Sequence, residues 1–225
     1  GTLALVFMGG LRVIASGEDS LASLEGQRNV GLAQTTEIYA ADGTRLAYLH
    51  EEQNRTIISG EDIPDILRYA VVAIEDERFY QHNGVDLEGI FRALVTNIQE
   101  EEISQGFSTI TMQLMGNLYL NRREMTLTRK FNEMALAWEL ERKYSKNEIL
   151  DMYLNTVYFG STAYGVEAAS QTYFGKHPVD LTLAEAALLA GLPQRPNGYS
   201  PRRHPELAVE RRNLVLDKML DLGYI

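Results

Sequence analysis

Cysteine is absent from all 225 positions, which removes disulfides, thiolate metal ligands and cysteine nucleophiles together and leaves the redox compartment open. Histidine is scarce. His50, His82, His177 and His204 are scattered without ligand spacing, so a histidine-built zinc site is not expected. An excess of positive charge is missing too: 21 Lys and Arg against 31 Asp and Glu give a net charge of −10. Such a chain lacks the basic face on which counterion-release binding to nucleic acid depends, so an anionic substrate would have to be met by a local group of cations. No apolar run is long enough to cross a bilayer. The stretch TLALVFMGGL near the start supplies about half of the roughly 20 residues needed. It reads as the end of a truncated membrane anchor over residues 1–15, with an ordinary buried segment as an equal alternative. It has no basic region in front of it, so a cleaved signal peptide fits less well.

What is present is enough apolar material, 45% of residues, for one substantial core or two small lobes. Residues 16–35, including GEDSLASLEGQRNVGLAQ, are polar and irregular and read as a connector to a domain over 36–225. TEIYAADGTRLAYL places two alternating runs around Asp42-Gly43, a hairpin signal. Beyond it the pattern predicts helices nearly to the end. Pro64 suits the first position of a helix whose apolar face is Ile66, Leu67, Ala70, Val71, Ala73 and Ile74. Asp86 is a cap for a helix through Ile98, and Ser108 or Thr109 for one through Leu120. Ser145 with Glu148 and Thr182 with Glu185 have capping-box spacing, and the last helix runs from near Pro205 to Gly223. The expected fold class is mainly α with a small β-hairpin near the N-terminus.

Two stretches carry chemistry. In AIEDERFYQHNG, four charged residues, Glu75, Asp76, Glu77 and Arg78, follow directly on the apolar run LRYAVVAI, which places a partly desolvated carboxylate at a helix end. In MTLTRKFNEMALAWELERKY, Phe131, Met134, Ala135 and Trp138 form an apolar stripe expected to face the core. Glu133 heads a second row with Leu136, Ala137 and Leu140, and Arg129 and Lys130 lie one turn before it, close enough to hold it ionised. Taken alone, that trio reads as an ion pair on a solvated face. Two helix-borne carboxylates in different settings, however, are the equipment of glycosyl chemistry.

These residues extend into a resemblance. EDERFYQHNG resembles the EDxxFxxHxG signature of the peptidoglycan glycosyltransferases, a lysozyme-like family that polymerises lipid II. GFSTITMQL, RKFNE, KNEILDMYLN and RPNGYSP are similar to its four further motifs, in the family order across residues 75–201. The resemblance implies a lysozyme-like, two-lobed helical domain on the outer face of a bacterial cytoplasmic membrane, behind an N-terminal anchor. It implies Glu75 as the general base on the acceptor 4-hydroxyl and Glu133, with Arg129 and Lys130, as support for the donor side. The reaction would invert the anomeric centre, add to the growing glycan chain through a β-1,4 linkage and release undecaprenyl diphosphate. Asp76, Phe79, His82, Arg92, Ser108, Thr109, Gln113, Asn117, Tyr153 and Asn155 match positions expected to contact substrate. For Asp76, Phe79, His82, Tyr153 and Asn155 a structural role is an equal alternative. A divalent cation, Mg2+ or Mn2+, at the diphosphate stays open, with no organic cofactor. No SxxK or KTG motif occurs, so any transpeptidase partner domain lies outside this chain.

Two positions depart from the pattern. Gly116 and Met125 stand where the resemblance leads one to expect cations for the diphosphate, and Arg122 and Arg123 are the nearest compensation. The expectation is therefore a weakened donor site unless those arginines serve. The stretch QEEEISQG reads as a solvated loop. Beside a lipid II polymerase stand a weakened or inactive scaffold of the same fold and a lysozyme-like glycan-cleaving enzyme. A hydrolase needs no diphosphate site, so the RKFNE and STITMQL cluster disfavours it.

Overall fold

A computed structural model of the chain describes residues 36–39, 45–49, 54–89, 108–119 and 127–225; for 36–39, 45–49, 119 and 127–128 it describes the backbone alone. The segments 1–35, with the expected anchor and connector, and 90–107, with Arg92, lie outside the described residues, as do the hairpin turn and Arg122, Arg123 and Met125. The chain divides into two compact units. Residues 78–149 carry the described part of the first; residues 32–77 and 150–225 form the second.

In the first unit, helix α2 (Ile110–Tyr119) packs against α3 (Leu127–Lys143). Thr109 is the α2 cap: its hydroxyl accepts from Met112 N–H at 3.1 Å. The α2 core face is Ile110, Met112, Leu114 and Met115. On α3 the buried row is Glu133, Leu136, Ala137 and Leu140, which corrects the expectation from apolar spacing. Phe131 and Trp138 of the other stripe are 48% and 42% exposed. Spacing identified both stripes, but only packing against α2 could select between them. The Phe79–Gln81 turn is a single 3-10 turn with Phe79 fully buried. Gly84, at φ +82°, packs directly on α3, since a Cβ there would lie 2.8 Å from the Ala137 carbonyl.

The second unit is built on α1 (Asp65–Glu75), α6 (Leu183–Gly191) and α7 (Pro205–Asp221), which pack on one another through Leu67, Val71, Ala187, Leu189, Val215 and Met219. Pro64 is the residue before α1 rather than its first, and extended backbone there opens the helix. Tyr69 stacks on Tyr224 at 4.7 Å. Strands β1 (Thr36–Tyr39) and β2 (Arg45–Leu49) pair antiparallel, as the hairpin signal predicts. A three-stranded sheet was not expected: β3 (Asn54–Arg55) lies parallel to β5 (Ala163–Tyr164), which pairs antiparallel with β4 (Tyr158–Gly160). Its turn, Ser161-Thr162, has φ of 51° and 62°, a conformation usually supplied by Asn-Gly, so sequence patterning passes over it. Helix α4 (Lys146–Thr156) spans the boundary between the units, and α5 (Val166–Phe174) follows the small sheet. Both capping boxes form: Glu148 accepts from Ser145 N–H and hydroxyl, and Glu185 from those of Thr182. Gly223, at φ +73°, follows α7 as expected.

Candidate active site

The charged stretch after α1 sorts itself by what each side chain touches. Glu77 pairs with Lys218 of α7 at 3.2 Å. Arg78, in the first unit, pairs with Glu88 and with Asp86 (3.6 Å), while Asp86 accepts from Gly89 N–H at 2.9 Å as the cap of the helical turn that follows. Asp76 is buried beyond the last turn of α1, its N–H donating to the Val72 carbonyl. Glu75, the last residue of α1, is half-buried, with Oε1 shielded from solvent. The apolar run ahead of this carboxylate is the reason for its setting, because Leu67, Val71 and Val72 are buried and draw α1 into the core of the second unit.

Glu133 in the first unit has the opposite environment. It is 6% exposed, yet both oxygens meet cations from its own helix: Arg129 Nε donates to Oε1 at 3.0 Å and Lys130 Nζ to Oε2 at 2.9 Å. The i−4 and i−3 spacing is the source of these pairs, but the pairs are not on a solvated face. Lys130 also contacts the hydroxyl of Ser108, just ahead of α2. Gln113 Nε2 donates to the Ser108 carbonyl at 3.4 Å, and Gln113, Gly116 and Asn117 follow at i, i+3 and i+4 on α2. The second and third motifs thus form one polar group: a carboxylate, two cations, a hydroxyl and an amide, laid across two packed helices. A Cβ at Gly116 would lie 2.9 Å from Glu133 Oε1, so glycine is what allows this close approach.

Other candidate residues are engaged internally. Thr109 Oγ1 donates to the Gly84 carbonyl at 2.6 Å, joining the end of the first motif to the start of the second. Phe79 is fully buried under the Lys146 ammonium, 4.4 Å from the ring centroid, and buried His82 meets its edge. In the second unit Tyr153 is fully buried, and Asn155 clamps the chain at Ile58: its Oδ1 accepts from Ile58 N–H at 3.0 Å and its Nδ2 donates to Ile58 O at 3.1 Å. Sequence reasoning missed one group. Half-buried Glu141 accepts from Lys146 at 2.7 Å and from Thr111 at 2.6 Å, tying α2, α3 and the start of α4 around Phe79. That ion pair crosses the break between two helices, so no helical spacing rule announces it.

Among the described residues no three His, Asp or Glu side chains gather to hold a metal ion. Both oxygens of Glu133 are taken by cations, so this carboxylate is not a fitting ligand for a resident divalent ion. The chemistry the first unit offers is a fixed positive surface around a buried carboxylate, suited to an anionic group.

Comparison with known proteins identifies the family. The family described as Transglycosylase matches residues 42–220. Penicillin-binding protein 1A of Aquifex aeolicus (strain VF5) is 50% identical over 192 residues, 85% of this chain and 26% of that protein. Penicillin-binding protein 1A of Neisseria lactamica is 45% identical over 218 residues, 96% of this chain and 27% of that protein. The chain therefore spans about a quarter of the length of these curated relatives. A crystal structure of penicillin-binding protein 1A from Haemophilus influenzae matches at a TM-score of 0.49 and 30% identity, covering 87% of this chain and 19% of that one. With the family match covering most of its length, the chain belongs to the transglycosylase family, as a transglycosylase domain of the class A penicillin-binding protein type.

Proposed function

We propose that this domain polymerises lipid II into β-1,4 glycan strands with inversion at the anomeric carbon. The observation that carries the reading is the buried Glu133 held between Arg129 and Lys130, with Lys130 on Ser108. A substrate diphosphate leaves with negative charge, and preorganised cations at the site of developing charge are an effective form of stabilisation. Glu133 keeps those cations in place in the unloaded enzyme. Glu75 takes the proton from the acceptor 4-hydroxyl; its half-buried setting at a helix end suits a general base better than full exposure would. The bond from the hydroxyl oxygen to the anomeric carbon forms as the bond to the diphosphate oxygen breaks, from opposite faces. The electron pair leaves on undecaprenyl diphosphate, and the proton ends on Glu75.

We place the domain on the outer face of the bacterial cytoplasmic membrane, where such a lipid-linked substrate is available. No helix among the described residues is long and apolar enough to cross a membrane. A transpeptidase in the same polypeptide is the partner domain suggested by relatives of which this chain matches only about a quarter.

The test is polymerisation of lipid II by the purified chain in detergent, with and without Mg2+. Glu75→Gln is expected to lower the rate by about 10²–10⁴, and Glu133→Gln by about 10²–10³, with the helical circular dichroism kept. The Mg2+ arm shows whether the diphosphate brings a cation of its own. A folded chain that gives no polymer and does not bind the phosphoglycolipid moenomycin would point to the scaffold reading, since tight binding implies a working donor cleft. Glycan shortened rather than lengthened would point to a hydrolase.

A further inference from the structure

Lys146 opens the fourth motif and α4, and its ammonium is engaged within the first unit. It donates to Glu141 Oε1 at 2.7 Å and lies 4.4 Å from the Phe79 ring centroid. The same Oε1 accepts from the hydroxyl of Thr111 at 2.6 Å, and Thr111 is fully buried. Glu141 is half-buried as a residue, but its side chain is only 4% exposed, so the pair is largely out of water. Such a pair is a poor source of stability, because desolvation offsets much of the attraction; what it can supply is a fixed geometry. That geometry falls on the first turn of α2. Thr111 is the second residue of the helix and is held by Glu141 of α3, while Thr109, just ahead of the helix, is held by the Gly84 carbonyl at 2.6 Å. Ser108 precedes both: its hydroxyl contacts Lys130 and its carbonyl accepts from Gln113 at 3.4 Å.

We propose that Glu141, kept in place by Lys146, is a positioning residue for the contact between Ser108 and Lys130, acting through Thr111. The proposal rests on reading Lys130 as a donor-side cation. Lys146 neutralises the Glu141 carboxylate, which lets it stay inside and hold the Thr111 hydroxyl. Thr111 fixes the first turn of α2, and that turn sets Ser108 at Lys130. Without Lys146 the carboxylate is an uncompensated charge in a buried place; it swings toward water and α2 loses this tie to α3. The first residue of the fourth motif thus acts on the second and third motifs through two side chains.

The experiment compares the parent chain with Thr111→Val, Glu141→Leu, Lys146→Met, Lys146→Arg, Ser108→Ala and Thr111→Val/Ser108→Ala. Lipid II polymerisation is measured beside the melting temperature and the carbon-13 signal of Ser108 Cβ, assigned by its loss in Ser108→Ala. Thr111→Val keeps the side-chain shape and removes one hydroxyl, so it is the variant expected to fold in every case. Its kcat should fall about tenfold, with KM changed less, because the donor-side groups are displaced rather than removed. Glu141→Leu and Lys146→Met should lower kcat in the same way and move the Ser108 signal, although both residues lie on other helices. Lys146→Arg keeps the ion pair and should stay near the parent. In the Ser108→Ala background Thr111→Val should slow the enzyme no further, a non-additive cycle that a general loss of stability would not give. Parental kcat in Thr111→Val, strictly multiplying effects in the cycle, or an unmoved Ser108 signal in a folded Glu141→Leu or Lys146→Met would overturn the proposal. Should those two variants fail to fold, Thr111→Val and its cycle decide. A parent that makes no polymer would overturn the functional reading instead, and the Ser108 signal would still decide the role of Glu141.

Discussion

Thr109 shows how a single side chain can tie two motifs together. Its hydroxyl hydrogen goes to the Gly84 carbonyl and its lone pair receives Met112 N–H, so one atom joins the turn of the first motif to the helix of the second. Thr109→Val keeps the shape and removes both bonds in a buried place. A loss of about 1–3 kcal/mol in urea unfolding is expected, with Thr109→Ser close to the parent. The sequence marks Thr109 as a cap but is silent on Gly84, because a partner 25 residues away is not a local property. Glu133 is the converse case. Its two cations are legible at i−4 and i−3, whereas its burial is not.

Among the elements, α3 is the one whose orientation the sequence left undecided. Both of its stripes have helical period, and the one headed by a carboxylate turns inward. Leu136→Ala is expected to cost about 2–5 kcal/mol, as for other large-to-small changes in cores. Phe131→Ser and Trp138→Ser, at exposed positions, should each stay within about 0.5 kcal/mol of the parent in the same denaturation series. Helix starts, by contrast, were readable to the residue where side chain and backbone reciprocate within one turn. At the α6 start, hydrogen bonds from Lys176 and then from Thr182 pull the Glu185 carboxyl from its ordinary 4.5 down to about 2. A folded value below the unfolded one means the contribution is complete above about pH 4.5 and fades as pH falls toward 2. Glu185→Gln should therefore lower Tm at pH 6 and have a smaller effect near pH 2, a convergence that calorimetry at the two pH values would show. Thr182→Ala should cost about 1 kcal/mol at neutral pH.

At the scale of the whole molecule, the second unit is assembled from two stretches separated by residues 78–149 of the first. Its ties are accordingly long in sequence: Arg68 binds Asp151, Asn155 clamps Ile58, and Lys218 reaches Glu77. Asn155→Ala would leave the Ile58 N–H and carbonyl without their partner, and a loss of about 2–3 kcal/mol in urea unfolding is expected, although the residue lies within a motif that resembles a catalytic one. The amino-acid sequence by itself determined the helix-rich class, the capped helix starts, the exclusion of thiol chemistry, and the motif order that identifies the family. All of these are set by composition or by contacts within a turn or two of the chain. Tertiary structure alone decided which α3 stripe is buried, where a three-stranded sheet forms around a Ser-Thr turn, and how closely the α2 backbone at Gly116 approaches Glu133. Each of these depends on what another segment, distant along the chain, brings to within a few ångströms.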